Sequence, residues 1–99
     1  MKDKEYMSNL LSDINKLRKQ INDLDESIVK LIAKRLEISQ QIGYLKEQNE
    51  IAIYDGKRED ELRQFYSKLS QVYMVDEEFI HEVFSVIIKK SRLIQMKGG

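Results

Sequence analysis

Apolar residues step along the first half of the chain by threes and fours: Ile14, Leu17, Ile21, Leu24, Ile28, Leu31, then Ile38, Ile42 and Leu45. Written as heptads, one column holds Ile14, Ile21, Ile28, Arg35 and Ile42, and the other Leu17, Leu24, Leu31, Ile38 and Leu45. This period predicts one long helix from Ser8 or Ser12 to about Gln48. The stretch "NEIAIYDG" breaks the pattern, and Asp55 is placed to N-cap a second helix with Leu62, Phe65, Tyr66, Leu69 and Tyr73 on its inner side. Asp76, followed by Glu77 and Glu78, opens a third helix showing Ile80, Phe84, Ile87, Ile88 and Ile94. Proline is absent and strict alternation is rare, so the fold class is all-α: one long helix and two shorter ones.

A helix of about 36 to 40 residues spans roughly 55–60 Å, whereas a compact chain of this size has a radius of gyration of only ~13 Å. The seam would stay wet unless another chain covered it, so a homodimer with paired long helices is expected.

Composition narrows the classes. Ninety-nine residues fit one domain, with a core over about 12–96, an N-terminal extension over 1–11 and a frayed tail at 97–99. Without cysteine there are no disulfides or thiolate metal sites, and no histidine pair suggests a metal. Seventeen basic residues balance seventeen acidic ones, a poor basis for gripping nucleic acid. No apolar run reaches the ~20 residues of a membrane span, and "MKDKEYMSNL" does not read as a secretory signal; a cytoplasmic location is expected. The single histidine, His81, reads as a helix-surface residue.

The seam then raises a chemical question, because Arg35 stands where an aliphatic residue belongs. Lys46, eleven positions on, lies only ~20° around the helix and ~16 Å along it, so both side chains can converge on one small ligand. The third helix carries its apolar face on to Ser91 and Gln95, and the stripe of the second begins at Glu59. Each has a plain structural reading: a register-setting polar residue or a snorkelling arginine at 35, a back-bonded serine at 91, solvated helix ends at 46 and 59. Their joint occurrence argues otherwise. An unpaired buried charge costs several kcal/mol, and no acidic residue shares the seam columns with Arg35, which points to an anionic ligand. Such a pocket can grip carboxylates, hold a hydroxyl and stabilise a developing oxyanion, as a unimolecular rearrangement or elimination requires.

The segments "LRKQINDLDESIVKLIAKRLEISQQIGYLK", "YDGKRE" and "SRLIQ" resemble the all-helical (type II) chorismate mutases over roughly residues 12–96, with Arg18, Arg35, Lys46, Asp55, Arg58, Glu59, Ser91 and Gln95 at matching spacings. The resemblance implies a cofactor-free Claisen rearrangement of chorismate to prephenate, toward phenylalanine and tyrosine, in an intertwined homodimer. It implies that Arg35 and Arg18 bind the two carboxylates, and that Lys46 bridges a carboxylate and the ether oxygen, to which Gln95 also donates. Glu59 would hold the ring hydroxyl with help from the backbone near Asp55 and Arg58, and Ser91 would add a carboxylate contact. Arg18 and Arg35 lie ~25 Å apart and ~100° around one straight helix, so Arg18 is expected to come from the partner across antiparallel long helices.

Arg92 departs from the family pattern, which has a small apolar residue beside Ser91; it is read either as facing solvent with Lys89 and Lys90 or as altering affinity. Gly43 is read either as allowing close helix approach or as tolerated slack, and "EQNEIAIYDG" as a lid. The rival readings are an isochorismate-pyruvate lyase of the same fold, against which Glu59 and Ser91 argue, and a non-catalytic helical dimerisation or regulatory module, which leaves Arg35, Glu59 and Gln95 unexplained.

Overall fold

The computed structural model describes residues 2–97 and contains three helices in the order α1 (Lys2–Gln48), α2 (Gly56–Tyr73) and α3 (Glu77–Met96). The all-α expectation holds. Helix α1 starts earlier than its periodicity predicts, because residues 3–13 contain no glycine or proline and place Asp3 and Glu5 in the first turn, where carboxylates favour a helix N-terminus. Met7 and Leu10 extend the two seam columns backwards by one heptad.

Both interhelix breaks are built by backbone geometry rather than by glycine. Helix α1 ends with Glu50 in the left-handed region (φ 54°), and the Ile51 amide reaches back to the Lys46 carbonyl at 2.8 Å. Helix α2 ends the same way at Met74 (φ 54°), with the Val75 amide on the Ser70 carbonyl at 3.0 Å. The two expected N-caps are present: Asp55 accepts from the Arg58 amide at 3.1 Å and Asp76 from the Phe79 amide at 2.9 Å. Met96 closes α3; of the expected tail, Lys97 caps that helix, and Gly98 and Gly99 lie outside the described residues.

The chain falls into two units, Met1–Ala33 and Lys34–Gly99. In the first, the seam is open: Leu17, Ile21, Leu24, Ile28 and Leu31 are all more than half exposed. The second contains the rest of α1 with α2 and α3. Its centre is Tyr66, the one large apolar side chain that is buried among the described residues. Tyr66 stacks on Phe84 with ring centroids 4.1 Å apart and presents its ring to His81 edge-on. Leu62 and Leu69 are half-buried beside it, as are Ile80, Phe84, Ile87, Ile88 and Ile94 of α3. Phe65 and Tyr73 are exposed, contrary to expectation: Phe65 flanks the buried stripe, while Tyr73 lies on its line but is the last residue of α2.

His81 also departs from its surface reading. It is half-buried between α2 and α3, its Nε2 lying 3.0 Å from Ser67 Oγ and 3.4 Å from Glu77 Oε1. Hydrogen bonding to Ser67 first, and to His81 second, holds the Glu77 carboxyl below its ordinary value.

Candidate active site

Helix α1 contributes one wall of a cavity within the second unit. Arg35, Ser39, Ile42 and Lys46 recur at intervals of three and four, so they share a face of α1 and line the same space. Glu59 and Leu62 come from the start of α2, and Ile88, Ser91 and Gln95 from one face of α3. Asp55, Arg58 and Ile53 complete the lining around the α1–α2 connection. The cavity measures about 250 Å³, which is small beside the ~300–1,000 Å³ of drug-sized sites and suits a small metabolite.

Two helices meet closely here because Gly43 has no side chain. A Cβ at that position would lie 2.7 Å from the Gln95 Cα. The close-approach reading of Gly43 is therefore correct, and it seats Gln95 against α1.

The polar groups are held before any ligand arrives. Arg35 donates from Nη1 to the hydroxyl of buried Ser91 at 2.6 Å, a bond from α1 to α3. Lys46 donates from Nζ to the Ile53 carbonyl at 2.8 Å, tying α1 to the segment before α2. Asp55 is occupied as the cap of α2, and Arg58, largely exposed, lies 3.6 Å from Glu61. The Gln95 Oε1 is buried without a hydrogen-bond partner, the kind of orphan atom that a bound ligand can satisfy. Among the described residues no carboxylate comes within ion-pair range of Arg35 or Lys46. Four cationic side chains and two carboxylates line the cavity, so its lining carries a surplus of positive charge.

Seven of the eight residues singled out in sequence therefore line one cavity. Arg18 is the exception: it lies in the first unit, exposed on α1, and is not among the lining residues. The solvent-facing reading of Arg92 is overturned. Its Nη2 sits 2.6 Å from Glu59 Oε1, and its guanidinium carbon lies 5.7 Å from the centre of the Tyr54 ring. The acidic residue opposite and the aromatic ring draw it inward. Ser39 and Ile53 are further lining residues outside the expected set. Ser39 stands one turn after Arg35 and was accessible to the same spacing argument; Ile53 lies in irregular chain with no period to place it. Among the described residues no group of three histidine or acidic side chains gathers to hold a metal, and no helix is long and apolar enough to cross a membrane.

Residues 17–96 match the family described as chorismate mutase type II. A chorismate mutase of Methanocaldococcus jannaschii is 29% identical over 86 residues, spanning 87% of either chain. Bifunctional chorismate mutase/prephenate dehydratases are similar over one part of their length. That of Buchnera aphidicola subsp. Baizongia pistaciae is 32% identical over 80 residues, covering 81% of this chain but 22% of the relative. That of Escherichia coli K12 is 32% identical over 79 residues, covering 80% and 20%.

Proposed function

The chain belongs to the type II chorismate mutase family, and from that membership and the cavity we infer that it is a chorismate mutase, an enzyme that converts chorismate to prephenate. The observation that carries this reading is the charge of the cavity. Arg35 and Lys46 face it with no carboxylate of their own, and a dicarboxylate of small size supplies what they lack.

The rearrangement breaks the ether C–O bond while a C–C bond forms within the same molecule, so no proton transfer and no cofactor is required. Arg35 grips one carboxylate through its planar fork, with the Ser91 hydroxyl beside it. Two anchored carboxylates select the folded conformer of a flexible substrate, which removes much of the entropic barrier. As the C–O bond stretches, negative charge builds on the ether oxygen. Lys46 and Gln95 donate to that atom and gain strength in the transition state, an effect of ~3–4 kcal/mol for a well-placed donor. A half-turn of the Gln95 amide exchanges its oxygen and nitrogen, so the buried position of Oε1 can present an N–H instead. Glu59 accepts from the ring hydroxyl near the backbone of Asp55 and Arg58.

The second carboxylate is held by Arg18 of the partner in a homodimer of antiparallel long helices. Support comes from the open seam of residues 17–31, whose apolar surface is of the kind that a second copy covers. One catalytic domain with residues 1–11 as an extension, acting in the cytoplasm on the branch toward phenylalanine and tyrosine, belongs to the same reading.

The test supplies the purified chain with chorismate and, separately, with isochorismate. Formation of prephenate from chorismate is expected. Release of pyruvate from isochorismate as the faster reaction would replace this reading with a lyase.

A further inference from the structure

Glu59 faces the cavity with three rotatable bonds and a side chain one-fifth exposed, so packing alone does not select the orientation of its carboxylate. The Arg92 guanidinium does. Its Nη2 lies 2.6 Å from Oε1 as an ion pair, and its guanidinium carbon is within cation–π range of the Tyr54 ring. One side chain thus joins three elements: α3 through Arg92, the first turn of α2 through Glu59, and the α1–α2 connection through Tyr54. Among the described residues Glu59 makes no other side-chain ion pair, which leaves Oε2 available as an acceptor.

We propose that Arg92 is a positioning residue: it fixes Glu59 by one carboxylate oxygen so that the other is aimed at the substrate hydroxyl. The inference rests on the chorismate mutase reading and adds to it a residue outside the set that the resemblance implies. Arg92 is a poor candidate for a substrate anchor of its own. Its charge is already balanced by Glu59, which leaves it less attraction for an incoming anion than Arg35 and Lys46 have. Preorganisation of this kind matters because a carboxylate that must be reoriented at each turnover forfeits part of the binding it supplies.

A double-mutant cycle tests the coupling. Arg92→Met keeps the length of the stem and removes the charge; Arg92→Lys keeps a charge; Glu59→Gln keeps the shape and weakens the pair. For Arg92→Met, kcat/KM on chorismate is expected to fall roughly tenfold or more, the scale of losing an ion pair that orients a substrate-binding carboxylate. Arg92→Lys should recover part of that loss. The Arg92→Met/Glu59→Gln double variant should be no slower than Glu59→Gln alone, because Arg92 has no separate task once its partner is disabled. Circular dichroism melts accompany each variant, and Arg92→Met should stay folded at the assay temperature. Losses that multiply in the double variant, or an Arg92→Met enzyme as fast as the parent, overturn the inference while leaving the mutase reading intact. An unsubstituted chain inert toward chorismate overturns both.

Discussion

Replacing Gly43 by alanine adds one methyl group at the point where α1 and α3 touch. That carbon would lie 2.7 Å from Gln95 Cα, 3.1 Å from its Cβ and 3.2 Å from its Cγ. Carbon atoms pack at ~3.5–4.0 Å, so the two helices must part by roughly 1 Å, and the obstructing Cα is backbone that no rotamer change can remove. Overpacking of this kind costs ~1–3 kcal/mol. Alanine returns ~1 kcal/mol through its better helix propensity. The net destabilisation is therefore about 0–2 kcal/mol, a fall in Tm of up to ~10 °C for a chain of this size. Activity should suffer more than stability. Gln95 moves with α3, and a misplacement of ~1 Å near reacting atoms can cost ~10²-fold in rate. Thermal melts and steady-state turnover on chorismate measure the two effects together. A Gly43→Ala variant that melts higher and turns over at the parent rate would show that the helices do not meet there, and the positioning of Gln95 would need another cause.

Two other outcomes follow from the same geometry. Chains carrying Arg18→Ala mixed with chains carrying Arg35→Ala should regain activity that neither has alone, since one site of each mixed dimer is intact; inactivity despite mixed dimers would refute the shared site. Glu77, whose carboxyl is lowered by Ser67 and then His81, contributes stability that is present above its ordinary value of 4.5 and lost as pH falls through the lowered folded value. The Tm difference between parent and Glu77→Gln should therefore shrink on acidification below that pH, and a gap that stays constant would contradict the assignment.

Much of this site was legible in the chain because helices convert spacing into direction. Arg35, Lys46, Glu59, Ser91 and Gln95 each interrupt an apolar stripe, and a stripe with a known period says which way its interruptions face. Asp55 and Asp76 were legible for a different reason, since a short acceptor before an acidic first turn has few other uses. Arg92 was not legible. Its position beside Ser91 puts it off the stripe, and only the length of its side chain lets it turn back to Glu59. His81 had a missed signal: it shares a face with Glu77, Phe84 and Ile88, which the Ser67 contact exploits. Phe65 and Tyr73 show the opposite limit, because periodicity fixes neither the edge of a stripe, where Phe65 lies, nor how far along the helix its burial extends, which ends before Tyr73. The early start of α1 was hidden because Ser8 and Ser12, residues of the type that caps helices, lie inside it.

The central claim is that a guest dicarboxylate neutralises Arg35, and the loss of chorismate absorbance on adding purified protein tests it most directly. The parent chain should consume chorismate without any added cofactor, and Arg35→Ala, still folded by circular dichroism, should lose nearly all of that activity. Equal rates from the two proteins would contradict the account.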